Sequence, residues 1–179
     1  ADLVEEAPDL IASMLSAGRA EAALAWWPVL ANADEIVRLR AWPMLVLADR
    51  GGAVPLTPGL LRNAYRVLAE DDSAEAARTK MRSLVSSLAG MRRISGRGWA
   101  SSFDDFGVGE RDDIHTQALD RAADMGRRGE VALLSSLGLQ GGWGNVRSVD
   151  VRPILDAWSR VGLQAEARML AVEAYMRGV

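Results

Sequence analysis

With 179 residues, 49% of them hydrophobic, the chain is long enough for one domain with a continuous core, which excludes disorder as its default state. Its 21 basic and 24 acidic residues leave a net charge of −3, carried by residues 1–90, while residues 91–179 sum to zero; neither half is a basic arm for nucleic acid or an anionic membrane. The lack of cysteine excludes disulfides, thiolate metal sites and cysteine nucleophiles, and the longest apolar stretch, Ala41 to Ala48, is far short of the roughly 20 residues of a spanning helix.

Lys80 is the sole lysine, and the preference for arginine, alanine, glycine and leucine reads as the coding bias of a GC-rich, bacterial genome. The Ala-Asp start is expected of a fragment or a processed product, with any targeting segment upstream.

Helical periodicity begins at once. Leu3, Ala7, Leu10, Ile11, Met14 and Leu15 form one face up to Gly18, and residues 20–31 are expected to pair with it as one hairpin partner. Asn32 or Asp34 can cap a further helix through Ile36, Leu39, Val46 and Leu47, which Gly51-Gly52 is expected to end. Thr57-Pro58 has the form of an N-cap followed by proline at the first helical position, with Leu60, Leu61, Ala64, Tyr65 and Leu68 behind it. Asp72-Ser73-Ala74-Glu75 resembles a capping box, and Ala77, Met81, Leu84, Val85 and Leu88 supply the stripe of the helix it opens.

Residues 91–111 hold four glycines and three serines without a sustained period, and read as a long irregular segment. Helices resume after Asp112-Asp113 with Ile114, Ala118, Ala122 and Met125, then from about Glu130 to Leu137. After the glycine-rich break 138–145, Asp150 is expected to cap a helix through Val151, Ile154, Leu155, Trp158 and Val161. Its partner carries Leu163, Ala167, Leu170, Ala171 and Ala174. Strand signals are short and sit within helical context, so the chain reads as all-α.

One pattern recurs: an apolar helix, a glycine, then a helix opening on glutamate and a small residue. It occurs at Gly126–Leu134, again at Gly162–Leu170, 36 residues on, and one residue shorter at Gly18–Leu24. These units, over about 1–31 and 112–179, resemble tetratricopeptide-type and related α-solenoid repeats, although the Trp, Gly, Tyr and Pro positions of that family are not in register and residues 32–111 follow no period. The resemblance implies one helical-repeat domain of stacked antiparallel hairpins over 1–179, with sub-stacks 1–90 and 112–179 joined by 91–111. It also implies a scaffold role in protein–protein interaction. The ending Val161–Ala174 resembles the C-terminal ends of alphaproteobacterial exported helical proteins, which favours a periplasmic, cell-envelope setting over the cytoplasm and carries no activity with it.

Chemistry is sparse. The single histidine, His115, lacks the further histidine or cysteine ligands of a zinc site and reads as a first-turn residue. Glu5-Glu6, Asp71-Asp72 and Asp112-Asp113 read as helix-start charges favoured by the macrodipole. Gly96-Arg97-Gly98, Gly107-Val108-Gly109 and Gly141-Gly142-Trp143-Gly144 lack the lysine-serine pair of a phosphate loop. Trp26-Trp27-Pro28 and Trp42-Pro43 suit either a proline-kinked groove or core packing.

The segment 91–111 is the exception, because it gathers arginines, aromatics and aspartates in one glycine-flanked stretch. Arg97, Trp99, Phe103, Asp104, Asp105 and Phe106, with Trp143, are the candidate partner-binding residues; the competing reading folds the aromatics back as packing. The expectation is a non-catalytic module, using no cofactor or metal, that binds another protein or another region of a longer chain through a helical groove and this segment, with self-association through exposed helix ends as a further option. The alternative is an accessory helical domain of a cell-envelope enzyme that positions glycan or peptide. A hydrolase built on Asp104, Asp105 or His115 is the third reading, with little of a convergent acid–base set to support it.

Overall fold

In the computed structural model, which describes residues 2–140, 143 and 146–178, every regular element is a helix and no strand occurs among the described residues. The chain forms two compact units, Ala1–Met81 and Arg82–Val179. The division falls within one continuous helix.

The first unit contains α1 (Asp2–Glu5), α2 (Ala7–Ser16), α3 (Ala20–Leu24), α4 (Trp27–Leu30), α5 (Glu35–Ala48) and α6 (Pro58–Asp71), followed by the start of α7 (Ala74–Gly90). Helix α5 is its centre, packed against α2 and α6 with α3 and α4 also touching it. Every residue from Ala41 to Asp49 is buried, as expected of a helix that is apolar on all sides. Ile36, expected on the apolar stripe, is 44% exposed and lies outside this core.

Asp34, not Asn32, caps α5, its carboxylate accepting from the Ile36 N–H at 2.8 Å. The helix ends at Ala48, ahead of Gly51-Gly52. The buried Asp49 carboxylate then takes over two backbone donors, Gly51 N at 3.0 Å and Val54 N at 3.1 Å, and folds the connection back on itself. Trp42 is fully buried and donates from Nε1 to the Pro55 carbonyl, so Trp42-Pro43 is core and shapes no groove.

The hairpin partner expected over 20–31 divides into α3 and α4. Pro28 is the reason: its ring excludes the Leu24 carbonyl, four residues back, and it has no N–H to continue the ladder. Thr57 caps α6 through the Leu60 N–H, with Pro58 first in the helix, and Ser73 caps α7 through the Ala76 N–H. Asp71 ends α6 instead of starting a helix, and its carboxylate takes the Arg40 guanidinium of α5, with Nε at 2.6 Å.

The second unit contains the rest of α7, the 3₁₀ turn η1 (Arg97–Trp99), α8 (Ala100–Phe106), α9 (Ile114–Asp124), α10 (Arg128–Gly138), α11 (Ser148–Arg160) and α12 (Gln164–Arg177). Helix α11 is the hub and packs on α9, α10 and α12. The recurring glycines have a shared geometry: Gly126 and Gly162 stand at φ 65° and 83°, the left-handed conformation that lets one helix end and its antiparallel partner begin. Trp158 locks α11 to α10 by donating from Nε1 to Ser135 Oγ at 2.8 Å, and that buried hydroxyl donates to the Val131 carbonyl at 2.7 Å.

Three sequence expectations change here. Ile114 and Met125, expected on the apolar face of α9, are 87% and 56% exposed. Asp150 is the third residue of α11 rather than its cap; its carboxylate reaches back to the Arg147 backbone N–H at 3.1 Å and satisfies that one orphan donor from inside the helix. Residues 97–106, expected to be irregular, form η1 and α8. Ser102 and Phe106, four apart, turn inward at 2% and 4% exposure, and one buried pair on a seven-residue helix is too brief a pattern to stand out between glycines.

Candidate functional site

Helix α8 is held from beneath. Its last carbonyl, on Phe106, accepts from Arg82 Nε of α7 at 2.9 Å, and Gly107 closes it at φ 63°. Phe103, half-buried, lies under the Arg152 guanidinium of α11, 5.8 Å from the ring centroid, within the range of a cation–π contact. Arg152 also donates from Nη1 to the Gly109 carbonyl at 3.1 Å and from Nη2 to Glu110 Oε1 at 3.0 Å. The stretch after α8 is therefore tied to α11 through Arg152.

A cleft of about 220 Å³ opens beside this contact. Glu110, Arg111, Arg152, Asp120 and Asp156 line it, together with the buried Thr116. Most of its charges are committed. Arg111 bridges Asp113, which caps α9, and Asp150 of α11. Arg160 holds Asp120 at 2.8 Å, Asp156 at 3.2 Å and also Asp124, while Arg92 takes Asp156 at 2.6 Å.

The electrostatics follow from these bonds. The Thr116 backbone N–H, with Arg111 beside it, lowers the Asp113 carboxyl to about 2. Burial pushes Asp150 up, but hydrogen bonds from the Arg147 side chain and backbone and the charges of Arg111 and Arg147 outweigh it, so Asp150 lies below the usual range. Both stay ionised as fixed parts of the scaffold.

Of the residues singled out from sequence, Arg97 and Trp99 lie in η1, and Phe103, Asp104, Asp105 and Phe106 are consecutive on α8. Arg97, Asp104 and Asp105 are exposed, Trp99 and Phe103 half-buried. Phe106 belongs to the core and is removed from the accessible set. Trp143 has a different neighbour: the Arg177 guanidinium of α12 lies 5.5 Å from its ring centroid. The glycines 141, 142 and 144 around it lie outside the described residues.

His115 is bound to the Leu134 carbonyl through Nε2 at 2.8 Å, which makes that nitrogen the donor and ties the start of α9 to α10. No group of three or more His, Asp or Glu side chains that could hold a metal occurs among the described residues, and no described helix is long and apolar enough to cross a membrane. Sequence reasoning missed Arg152 and Glu110. Neither carries a local signal, because both acquire meaning only when α11 meets the segment 91–111. Comparison with models of protein families, with curated proteins and with solved structures yields no match to this chain.

Proposed function

We propose that the chain is a non-catalytic interaction module of a bacterial protein, a stack of helical hairpins that presents α8 and the adjoining cleft to a partner protein or to another region of a longer chain. One observation carries this reading. Arg97, Asp104 and Asp105 are exposed and make no ion pair among the described residues, whereas Arg111, Arg152 and Arg160 of the same unit are all paired. Helix α8 is fixed below by Phe103 and Phe106, so these charges are displayed from an ordered base, which lowers the entropy lost on binding.

The test is affinity capture with the purified chain from lysate and envelope fractions of its own organism, beside a Trp99→Ala, Phe103→Ala double variant and an Asp104→Asn, Asp105→Asn double variant. The reading expects a specific protein that both folded variants lose. Equal capture by the variants, or capture of nothing by the parent chain, overturns it.

A further inference from the structure

We infer that Arg152 is the anchor for a carboxylate side chain of the partner, and that Glu110 occupies this place in the free protein; the inference rests on the interaction-module reading above. A guanidinium taken largely out of water needs a charged or strongly polar partner. Arg160 and Arg152 meet that need in different ways. Arg160, its side chain 16% exposed, is held by three aspartates, all of them on helices α9 and α11. Arg152 is similarly covered, at 23%, yet among the described residues its carboxylate partner is Glu110 alone, whose side chain is 83% exposed and stands on a stretch without regular structure.

The anchor is preorganised and its present occupant is not. The cation–π contact with Phe103 and the bond to the Gly109 carbonyl hold the guanidinium in place. Glu110 meets it through one oxygen, Oε1, leaving a two-pronged contact unmade. The cleft beside the pair, about 220 Å³, has room for a side-chain carboxylate. Asp120 and Asp156, which also line it, are ion-paired with Arg160 and Arg92, which reduces their repulsion of an incoming anion, while the three aspartates on these two arginines leave the cluster one negative charge in excess.

The test titrates a fluorescently labelled hexaglutamate peptide against the whole chain by anisotropy. Glu110→Gln, at an exposed position, removes the internal competitor, and because exposed pairs are weak it is expected to tighten binding by about two- to fivefold. Asp112→Asn changes net charge equally and is expected to leave affinity unchanged. Arg152→Lys keeps the charge, loses the planar fork, and is expected to weaken binding and to erase the gain from Glu110→Gln; circular dichroism confirms its fold.

Equal affinity of the parent and Glu110→Gln, an equal gain in Asp112→Asn, a gain that survives Arg152→Lys, or no binding by either the parent or Glu110→Gln overturns the inference. If the capture experiment succeeds while any of these results is found, the carboxylate anchor fails and the interaction module stands. If capture also fails, both fall.

Discussion

Trp42 of α5 donates its indole N–H to the Pro55 carbonyl at 2.8 Å, with the ring completely buried. This bond fastens the α5–α6 connection to the central helix of the first unit. Trp42→Phe keeps most of the apolar volume but removes the donor, leaving the Pro55 carbonyl without it. The expected loss is about 1–3 kcal/mol of unfolding free energy, read from urea denaturation; Trp42→Ala is expected to cost about 3–5 kcal/mol because it adds a cavity.

Two helical glycines should respond oppositely to alanine. A Cβ on Gly90, at the end of α7, would stand 2.6 Å from the Arg152 carbonyl oxygen, and backbone cannot step aside cheaply. Gly90→Ala is expected to lower stability by about 1–3 kcal/mol. Gly129, in the first turn of α10, has nothing within 4 Å of its ideal Cβ, so Gly129→Ala is expected to raise stability by up to about 1 kcal/mol. Thermal or chemical melts of the two variants check the contrast.

Arg92 is the one non-glycine residue with positive φ among the described residues, at 59°, and it pairs with Asp156. Both Arg92→Ala and Arg92→Gly lose the pair, but only glycine relieves the left-handed backbone. Arg92→Gly should therefore be the more stable of the two by about 0.5–1 kcal/mol, after allowance for the extra freedom of glycine when unfolded. Equal denaturation midpoints would refute the strain argument.

Acid sensitivity follows from Asp113 and Asp150. Their folded-state values lie below the ordinary 3.8, with Asp113 at about 2. A depressed carboxyl contributes stability that is complete above its unfolded value and lost as protons reach the folded one. Unfolding free energy is thus expected to change little through these groups near neutrality and to fall between about pH 4 and about pH 2. Asp113→Asn, which can still cap α9 but cannot titrate, should show a smaller drop between pH 5 and pH 3 than the parent chain, measured by urea unfolding at both values.

Helix α6 and the last hairpin were legible because their signals are local: Thr57-Pro58 starts a helix by its own chemistry, and Gly162 turns the chain by a conformation other residues avoid. Helix α8 was not, since its inward face consists of two residues. In the candidate site, Arg97, Asp104 and Asp105 stood out as charges in an aromatic-rich segment. The same composition included Phe106, which the fold buries, because exposure depends on which face meets the rest of the unit.

By itself the sequence determined the helical class, most caps and turns, and the lack of cysteine chemistry, all of which follow from short-range periodicity, capping and composition. Only the tertiary structure decided that Trp42 is core, that α5 and α11 are the hubs of their units, and that Arg152 joins Phe103 to Glu110. Those facts depend on residues many positions apart, 42 between Glu110 and Arg152, and a chain carries no local mark of the partner that folding will bring to a side chain.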